Sequence, residues 1–365
     1  MRILFTTWSA PAHLHPMVPL ARACQDAGHE VLLAVPPGCA AAVTAAGLTP
    51  VPVGAEPAAP PIGAVRGLPE DSWPADWPLR PAALGPGPRR VLDALVGRQA
   101  AIAEAMLPDL LGFARHWRPA LVVSDASTYA GTLVADLLGV PLAHHQWGGP
   151  AVLELERGGP GGQPRPAYQA LCERFGANPR RAPQVWIDPC PPSLRLPSPV
   201  RRLALRTAAA PRTTADRPTR TDQQPRVLIG LEDGAPVDLL RLAADQLAVP
   251  YREVTLPLGP DRPLPGGALL IHHGSGILTM AAAAHGIPQL VVSLRPEQAL
   301  TGDRLAAIGA ARHLPRAAAG AAELRTAGLA LLADPARAAA RRLAAEIAAL
   351  PDPAALVPRL AELAD

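Results

Sequence analysis

The sequence predicts an α/β protein with two doubly wound, Rossmann-like domains that face a common cleft. Short apolar strands alternate with amphipathic helices along the first third of the chain, and the same alternation resumes near residue 226. The two series are separated by a stretch with few apolar residues, and 365 residues exceed the usual size of a single hydrophobic core. Alternating strands and helices form parallel sheets, whose ligand crevices lie at the carboxyl ends of the strands.

An N-terminal acceptor-binding domain is predicted over residues 1–200. Glycines close its first two helices, and Gly- and Pro-rich stretches at 55–88 and 150–166 predict loops. The predicted strands are 2–8, 30–36, 48–54, 120–125 and 140–147, and the predicted helices are 17–28, 40–47, 89–115 and 127–139.

Residues 201–225 are predicted to be an interdomain linker, because breakers and charged residues dominate them. A C-terminal domain of the nucleotide-sugar type, shortened, is predicted over 226–350, with a C-terminal helix at 351–365. Its predicted strands are 226–231, 268–273 and 287–293, and its predicted helices lie near 236–248, after the glycine loop that begins at 274, and at 297–309, with two or three Ala/Arg/Leu helices ending the chain.

Composition excludes several function classes. The formal net charge of +3 is small and the basic residues are scattered, which argues against nucleic-acid binding. No apolar run reaches the length of a membrane span, and the start of the chain is typical of a strand rather than a signal peptide, so we expect a cytoplasmic protein. All 34 basic residues are Arg, which excludes lysine chemistry. The four cysteines lack CxxC spacing and are expected to be buried, reduced thiols.

Two residues near predicted strand ends are candidates for acid–base chemistry. His13 follows the first strand, and an imidazole has an ordinary pKa close to neutral pH. The alternatives are that His13 and His15 are surface residues or a weak metal pair. Asp125 ends a strand expected beside the first one, where its carboxylate can orient His13, although an Asp here is equally suited to capping the next helix.

The stretch "HHGSGIL" at 272–278 has the order strand, glycine loop, helix. Such a loop presents backbone N–H groups and the positive end of a helix dipole to a phosphate. Ile277 and Leu278 are bulkier than expected for this role, so the loop is either a phosphate cradle or one that has decayed.

Four segments together resemble one family: "MRILFTTWSAPAHLHPMVPLARACQDAGHEVLLAV", "WRPALVVSDASTYAG", "WIDPCPPSLRLP" and "HHGSGILTMAAAAHGIPQLVVSLRPEQALTGDRLAAIGAA". The chain resembles bacterial natural-product glycosyltransferases of family 1, which have the GT-B fold, and is most similar to those that attach deoxysugars to polyketide aglycones. The resemblance implies that His13, three residues before Pro16, is the catalytic base and that Asp125 is its acidic partner.

The same resemblance implies the binding residues of the acceptor. Trp8, His145 and Trp147 follow strand ends that face the crevice, where family members bind the acceptor. All three are equally ordinary as core or rim residues.

For the donor, the resemblance implies that His273, Gly274, Ser275 and Gly276 hold the pyrophosphate. Glu297 and Gln298 fill the family's acidic-Gln pair and are implied to bind hydroxyls of the donor sugar. The alternative is that both simply begin the helix at 297, where an acidic residue suits the helix dipole.

The donor half departs from the family pattern in three places. Ile277 and Leu278 replace the expected Gly and Thr. Only residues 249–267 fill an interval that normally holds a strand–helix unit, and Glu232 and Asp233 stand near the expected phosphates, which they would repel.

The resemblance therefore implies an inverting glycosyltransferase that moves a deoxysugar from a nucleotide diphosphate, dTDP above all, to a polyketide-like acceptor. We expect no cofactor and no metal, the nucleotide sugar being a co-substrate, with a homodimer or an auxiliary partner possible. The alternative is a glycosyltransferase-like protein that has lost sugar transfer and binds the aglycone, supports a partner, or uses His13 and Asp125 for cyclisation or isomerisation. A nicotinamide-dependent dehydrogenase is disfavoured because no G-x-G-x-x-G follows the first strand.

Overall fold

The computed structural model confirms two parallel α/β domains. It describes residues 1–8, 10–55, 73–74, 77–150, 153–207, 227–232, 235–256 and 264–364. No helix within these ranges is long and apolar enough to cross a membrane.

The first domain contains a seven-stranded parallel sheet with the strand order β3-β2-β1-β4-β5-β6-β7. Its central strand β4 is buried along its whole length, so the run "LVVS" faces protein on both sides, as expected for a central parallel strand. The strands are β1 Arg2–Thr6, β2 Glu30–Val35, β3 Pro50–Pro52, β4 Leu121–Asp125, β5 Leu142–His145, β6 Val185–Asp188 and β7 Arg202–Ala204.

Helices cover both faces of this sheet. One face packs against the long helix α4 with α5 and α6, and the other packs against α2 and against the last helix of the chain, α12. The helices are α1 Pro11–Leu14, α2 Val18–Asp26, α3 Ala40–Ala45, α4 Pro86–Trp117, α5 Tyr129–Leu138, α6 Pro166–Phe175 and α12 Pro353–Ala361.

The second domain contains a five-stranded parallel sheet with the order β12-β11-β10-β8-β9. Three helices that follow its strands and two near the end of the chain complete it. The strands are β8 Val227–Leu231, β9 Tyr251–Thr255, β10 Leu269–His272, β11 Gln289–Ser293 and β12 Ala311–Pro315, and the helices are α7 Val237–Asp245, α8 Gly276–Ala284, α9 Pro296–Ala307, α10 Ala321–Leu331 and α11 Asp334–Ala348.

Several elements were not predicted. His13 lies on the short helix α1 rather than in an open loop, and the elements α6, β6, β7, β9 and β12 were not predicted. The shortened interval 249–267 still supplies an edge strand, β9. Most residues of β9 are exposed, so its sequence lacks the apolar pattern of a strand. Between β9 and β10 the described residues contain no helix, and 257–263 lie outside the described ranges.

The predicted linker at 201–225 overlaps the first sheet, because its residues Arg202–Ala204 form β7, the seventh strand of that sheet. Residues 208–226 lie outside the described ranges. The predicted C-terminal helix is α12, which returns to the first domain and buries Leu356, Val357 and Leu360 against α2. All four cysteines are free and buried, as predicted.

Direct contacts fix the two domains against each other. Arg304 of α9 donates hydrogen bonds to the backbone oxygens of Ser193, Leu194 and Arg195, which follow the last long strand of the first domain. Glu346 of α11 accepts a hydrogen bond from the Ser193 N–H at 2.7 Å. The carboxyl ends of both sheets face one cleft, since Trp147, which follows β5, lies beside Gly276 at the start of α8.

Candidate active site

The predicted pair His13 and Asp125 lies where β1 and β4 end, on the side of the first sheet that faces this cleft. Strands β1 and β4 are parallel neighbours, so the turn after β1 and the end of β4 meet at one sheet edge. His13 Nδ1 and Asp125 Oδ1 are 2.8 Å apart, and the side chains are 15% and 1% exposed. The structure thus brings together two residues that are 112 positions apart in the sequence.

The second oxygen of Asp125 is held by its own turn. Oδ2 accepts hydrogen bonds from the Ser127 N–H at 3.1 Å, the Ser127 hydroxyl at 2.7 Å and the Thr128 hydroxyl at 2.9 Å. Asp125 therefore combines both predicted roles, since one oxygen organises the start of α5 while the other faces His13. Burial raises the pKa of Asp125, but the charge of His13 and the hydrogen bonds from His13, Ser127 and Thr128 outweigh it and hold the pKa below its usual value.

This geometry fixes the tautomer of His13. A carboxylate only accepts hydrogen bonds, so Nδ1 of a neutral His13 carries the proton and Nε2 carries the free lone pair. The His13 ring lies between two indoles, with ring centroids 5.1 Å from Trp8 and 4.5 Å from Trp147. The Trp8 indole N–H donates to the Ser127 hydroxyl at 3.0 Å, so Trp8 is linked to the carboxylate as well as to the imidazole.

The three predicted acceptor residues have different surroundings. Trp8 and Trp147 are half-buried and contact His13, so both border the space where an acceptor hydroxyl would approach. His145 is only 1% exposed, and its Nδ1 donates to the backbone oxygen of Gln146 at 2.7 Å. Burial lowers the pKa of His145 to about 4, and its position presents no surface to an acceptor.

On the opposite side of the cleft, Gly274 turns the chain between β10 and α8. Its φ of +90° lies in the region that favours glycine, and a Cβ there would stand 2.9 Å from Gln298 Cβ. Ser275 caps α8 through its backbone, because its carbonyl accepts the Thr279 N–H at 2.9 Å, and Gly276 begins the helix. The first N–H groups of α8 therefore have no partners within the helix.

His273 is buried beside this loop. It is 3% exposed, its Nδ1 has no hydrogen-bond partner, and its Nε2 is 3.6 Å from Glu232 Oε2. Burial, followed by the charge of Arg295, lowers the pKa of His273 to about 4. The predicted carboxylate at the donor side is thus present in Glu232, whereas Asp233 lies outside the described residues.

The two bulky residues of "HHGSGIL" do not strain the loop. Both lie inside α8, and neither has a positive φ. Leu278 is buried and packs against Gly230, where an added Cβ would stand 2.7 Å from its Cδ1. Leu278 anchors the helix to β8, which is why an apolar residue stands there.

Glu297 and Gln298 lie in the first turn of α9. Glu297 is half-exposed and pairs with Arg295 Nε at 2.7 Å. Gln298 is 2% exposed, and its Oε1 accepts the Leu294 N–H at 2.9 Å. The described contacts of both residues are therefore within their own loop, beside Gly274.

The acceptor and donor sides meet in the cleft. The Trp147 ring is the nearest neighbour of Gly276, 3.6 Å from the position of an added Cβ, and Gly148 approaches the Met280 side chain in the same way at 3.0 Å. The side chain that contacts His13 therefore also contacts the start of α8. One cleft contains the base candidate and the phosphate-loop candidate.

The sequence analysis missed Arg98, Arg295 and the hydrogen-bonding role of Thr128. Arg295 stood in the quoted motif "RPEQ" but was not assigned a role. Arg98 lies in the middle of α4, and nothing around it in the sequence distinguishes it from the other arginines.

Solved structures similar over the whole chain place this protein in the class of GT-B glycosyltransferases. The spinosyn rhamnosyltransferase SpnG is 26% identical with a TM-score of 0.77, and 99% of this chain and 100% of that chain are covered. A structure of SpnG complexed with thymidine diphosphate is 27% identical with a TM-score of 0.75 over the same shares.

The chain belongs to the erythromycin biosynthesis protein CIII-like family. The N-terminal domain model of that family matches residues 22–210 and the C-terminal domain model matches 251–363. L-demethylnoviosyl transferase of Streptomyces niveus is 31% identical, covering 99% of this chain and 98% of its own length. The 10-deoxymethynolide desosaminyltransferase of Streptomyces venezuelae is 29% identical, covering 100% and 97%.

Proposed function

We propose that this protein transfers a deoxysugar from thymidine diphosphate to a hydroxyl group of a polyketide-like aglycone, with inversion at the anomeric carbon. The observation that carries the proposal is the 2.8 Å contact between His13 and the buried Asp125 at the edge of the cleft. It supplies a base of fixed tautomer next to Trp147, the side chain that also contacts the start of α8.

In the proposed reaction His13 Nε2 takes the proton of the acceptor hydroxyl. The hydroxyl oxygen attacks the anomeric carbon, the bond from that carbon to the diphosphate oxygen breaks, and thymidine diphosphate leaves with the bonding electrons. Asp125 stabilises the imidazolium that forms, because its carboxylate already accepts the Nδ1 proton. A single displacement inverts the configuration of the anomeric carbon.

The leaving diphosphate carries increasing negative charge as the bond breaks. The N–H groups at the start of α8, with Gly274, Ser275, Gly276 and the imidazole of His273, are proposed to stabilise it. These groups serve without a metal ion or a cofactor in the proposal. Glu297 and Gln298 are proposed to bind the sugar, which for Gln298 requires its Oε1 to exchange the Leu294 N–H for a sugar hydroxyl.

Thymidine diphosphate is proposed as the donor nucleotide because SpnG has been solved with it and because DnrS of Streptomyces peucetius, 28% identical, is named a TDP-daunosamine transferase. A macrolide or anthracycline type of acceptor is proposed on the same ground, from relatives such as the tylactone mycaminosyltransferase of Streptomyces fradiae. A homodimer or an auxiliary partner stays a prediction.

The alternative of a protein that has lost sugar transfer is not favoured. The named relatives align over nearly their whole length, and each is named for the transfer of a sugar. The contact of Glu232 with His273 is the feature that the alternative would have to rely on, and it is tested below.

The test is direct. The purified protein is incubated with TDP-L-rhamnose and a panel of macrolide and anthracycline aglycones, and products are detected by mass spectrometry. Calorimetry measures the binding of thymidine diphosphate and uridine diphosphate to the wild type and to His273→Ala. We expect a glycosylated product and tighter binding of thymidine diphosphate, weakened by His273→Ala. A folded protein that binds neither nucleotide and forms no product would overturn the proposal.

Stereochemistry is read from the anomeric proton of the product by NMR. An anomeric configuration opposite to that of the donor is expected. Retention would rule out a single displacement from the face opposite the diphosphate, and the direct displacement by way of His13 would be wrong.

A further inference from the structure

Arg98 on α4 is a half-buried cation next to the catalytic pair. Its guanidinium carbon lies 4.7 Å from the centroid of the Trp8 ring. The same ring lies 5.1 Å from the His13 ring, so a single side chain separates Arg98 from the proposed base. The length of one indole is comparable to the spacing between substituents at opposite ends of a fused bicyclic ring.

Among the residues that the structure describes, no acidic side chain neutralises the charge of Arg98. Within the described ranges, no carboxylate forms an ion pair with Arg98, and its buried Nε has no hydrogen-bond partner. Burial lowers the pKa of Arg98, which is the direction expected for a cation that loses water without gaining a counter-ion. The Trp8 ring is the group that faces the cation, and a cation over an indole is attracted only modestly.

Two other arginines of this domain that are largely shielded from solvent do have carboxylate partners. Arg165 pairs with Asp93 of α4 at 2.6 Å, and Arg157 pairs with Glu154 at 2.6 Å. A half-buried cation without a counter-ion loses part of its hydration, and an anion from outside the protein would compensate for that loss. Arg98 is therefore a cation whose charge an anionic ligand could neutralise.

We propose that Arg98 binds a carboxylate of the acceptor, about one ring system away from the hydroxyl group that His13 deprotonates. The inference rests on the proposed function and adds to it the chemical class of the acceptor: a hydroxylated aglycone that also carries a carboxylate. The planar guanidinium offers a fork of N–H donors that matches a carboxylate, and binding there orients the hydroxyl toward Nε2 of His13.

The experiment compares two probes of nearly the same shape. These are 6-hydroxy-2-naphthoate, which has a hydroxyl and a carboxylate at opposite ends of a naphthalene ring, and its neutral methyl ester. Calorimetry without nucleotide measures the Kd of each probe for the wild type and for Arg98→Met, Arg98→Lys and Arg90→Met. Arg90 is exposed and precedes Arg98 on the same helix, so Arg90→Met makes the same change in net charge about 12 Å away along the helix axis.

The wild type and Arg90→Met are expected to bind the carboxylate roughly tenfold or more tightly than the ester, the range for a charge-assisted hydrogen bond. Arg98→Met is expected to bind both probes equally while keeping its melting temperature within a few degrees. Arg98→Lys is expected to keep part of the preference, because it retains the charge but not the fork.

Three results would overturn the inference and leave Arg98 as a residue that only covers Trp8. These are equal affinity of the wild type for both probes, binding of neither probe, and a preference for the carboxylate that survives in Arg98→Met. Binding of thymidine diphosphate, measured on the same samples, reports the donor half. A protein that binds the nucleotide but shows no carboxylate preference refutes this inference alone, and a protein with the preference but without nucleotide binding refutes the proposed function alone.

Discussion

The substitution Asp125→Asn is expected to abolish catalysis while preserving the fold, because it reverses the tautomer of His13. Three donors converge on Oδ2 of Asp125, two from Ser127 and one from Thr128. An asparagine must therefore place its amide oxygen at that position and its NH₂ group opposite His13. The NH₂ group is a donor, so Nδ1 of His13 must accept, and the ring proton moves to Nε2.

The magnitude follows from this reversal. With a proton on Nε2, the imidazole cannot take a proton from the acceptor hydroxyl, and the charge that stabilises the imidazolium is also lost. Removing a positioned general base costs roughly 10²- to 10⁴-fold in rate, which corresponds to about 3–5 kcal/mol in the activation free energy. The free energy of unfolding should fall by only about 1–2 kcal/mol, because every hydrogen bond keeps a partner and only its charge is lost.

The assay combines kinetics with a direct observation of the ring. Steady-state transfer from TDP-L-rhamnose, to an aglycone that the wild type accepts, gives kcat and KM for the wild type, Asp125→Asn and Asp136→Asn. Asp136 is a matched control, since its carboxylate accepts the Asn178 N–H at 2.7 Å but lies on the far end of α5. NMR of protein labelled with ¹⁵N-histidine identifies which ring nitrogen of His13 carries the proton.

We expect a fall in kcat with little change in KM for Asp125→Asn, a proton on Nε2, and wild-type kinetics for Asp136→Asn. A variant with the reversed tautomer whose kcat stays within threefold of the wild type would refute the reasoning, because Nε2 of His13 would then not be the atom that accepts the proton.

Three further predictions concern the donor side and the stability of the fold. Glu232→Gln should tighten the binding of thymidine diphosphate about three- to tenfold, because it removes a negative charge 3.6 Å from His273. Calorimetry that shows weaker or unchanged binding would contradict this prediction. The free energy of unfolding should fall as the pH is lowered from about 6.5 to 4, because buried histidines stay neutral in the folded protein and take up protons when it unfolds. For His145 alone, the pKa of about 4 corresponds to a loss on the order of 3 kcal/mol. Urea titrations that show constant stability between pH 6.5 and 4 would contradict this prediction. Gly274→Ala should lower the free energy of unfolding by about 2 kcal/mol more than Gly139→Ala. Both positions require a positive φ, but only the Cβ at position 274 would press against Gln298. Equal losses in thermal unfolding would contradict this and show that the loop moves to accommodate the Cβ.

Much of the fold followed from the sequence because parallel α/β domains have strong local patterns. Central strands such as β4 are buried on both faces and therefore form uninterrupted apolar runs. Edge strands lack this pattern, which is why β9, with most of its residues exposed, was missed. Helix α1 was missed because four residues are too few for a helical period to show.

The sequence by itself determined the class of this protein, the domain order and the identity of the pair His13 and Asp125, because these depend on local patterns and on motifs whose residues stand close together. Only the tertiary structure decided how the site is held. It gave the two oxygens of Asp125 different partners, buried His145, placed Glu232 against His273 and set Arg98 over Trp8 with no counter-ion among the described residues. These contacts join residues far apart in the chain, and the packing of helices on sheets, which no local pattern encodes, determines which of them meet.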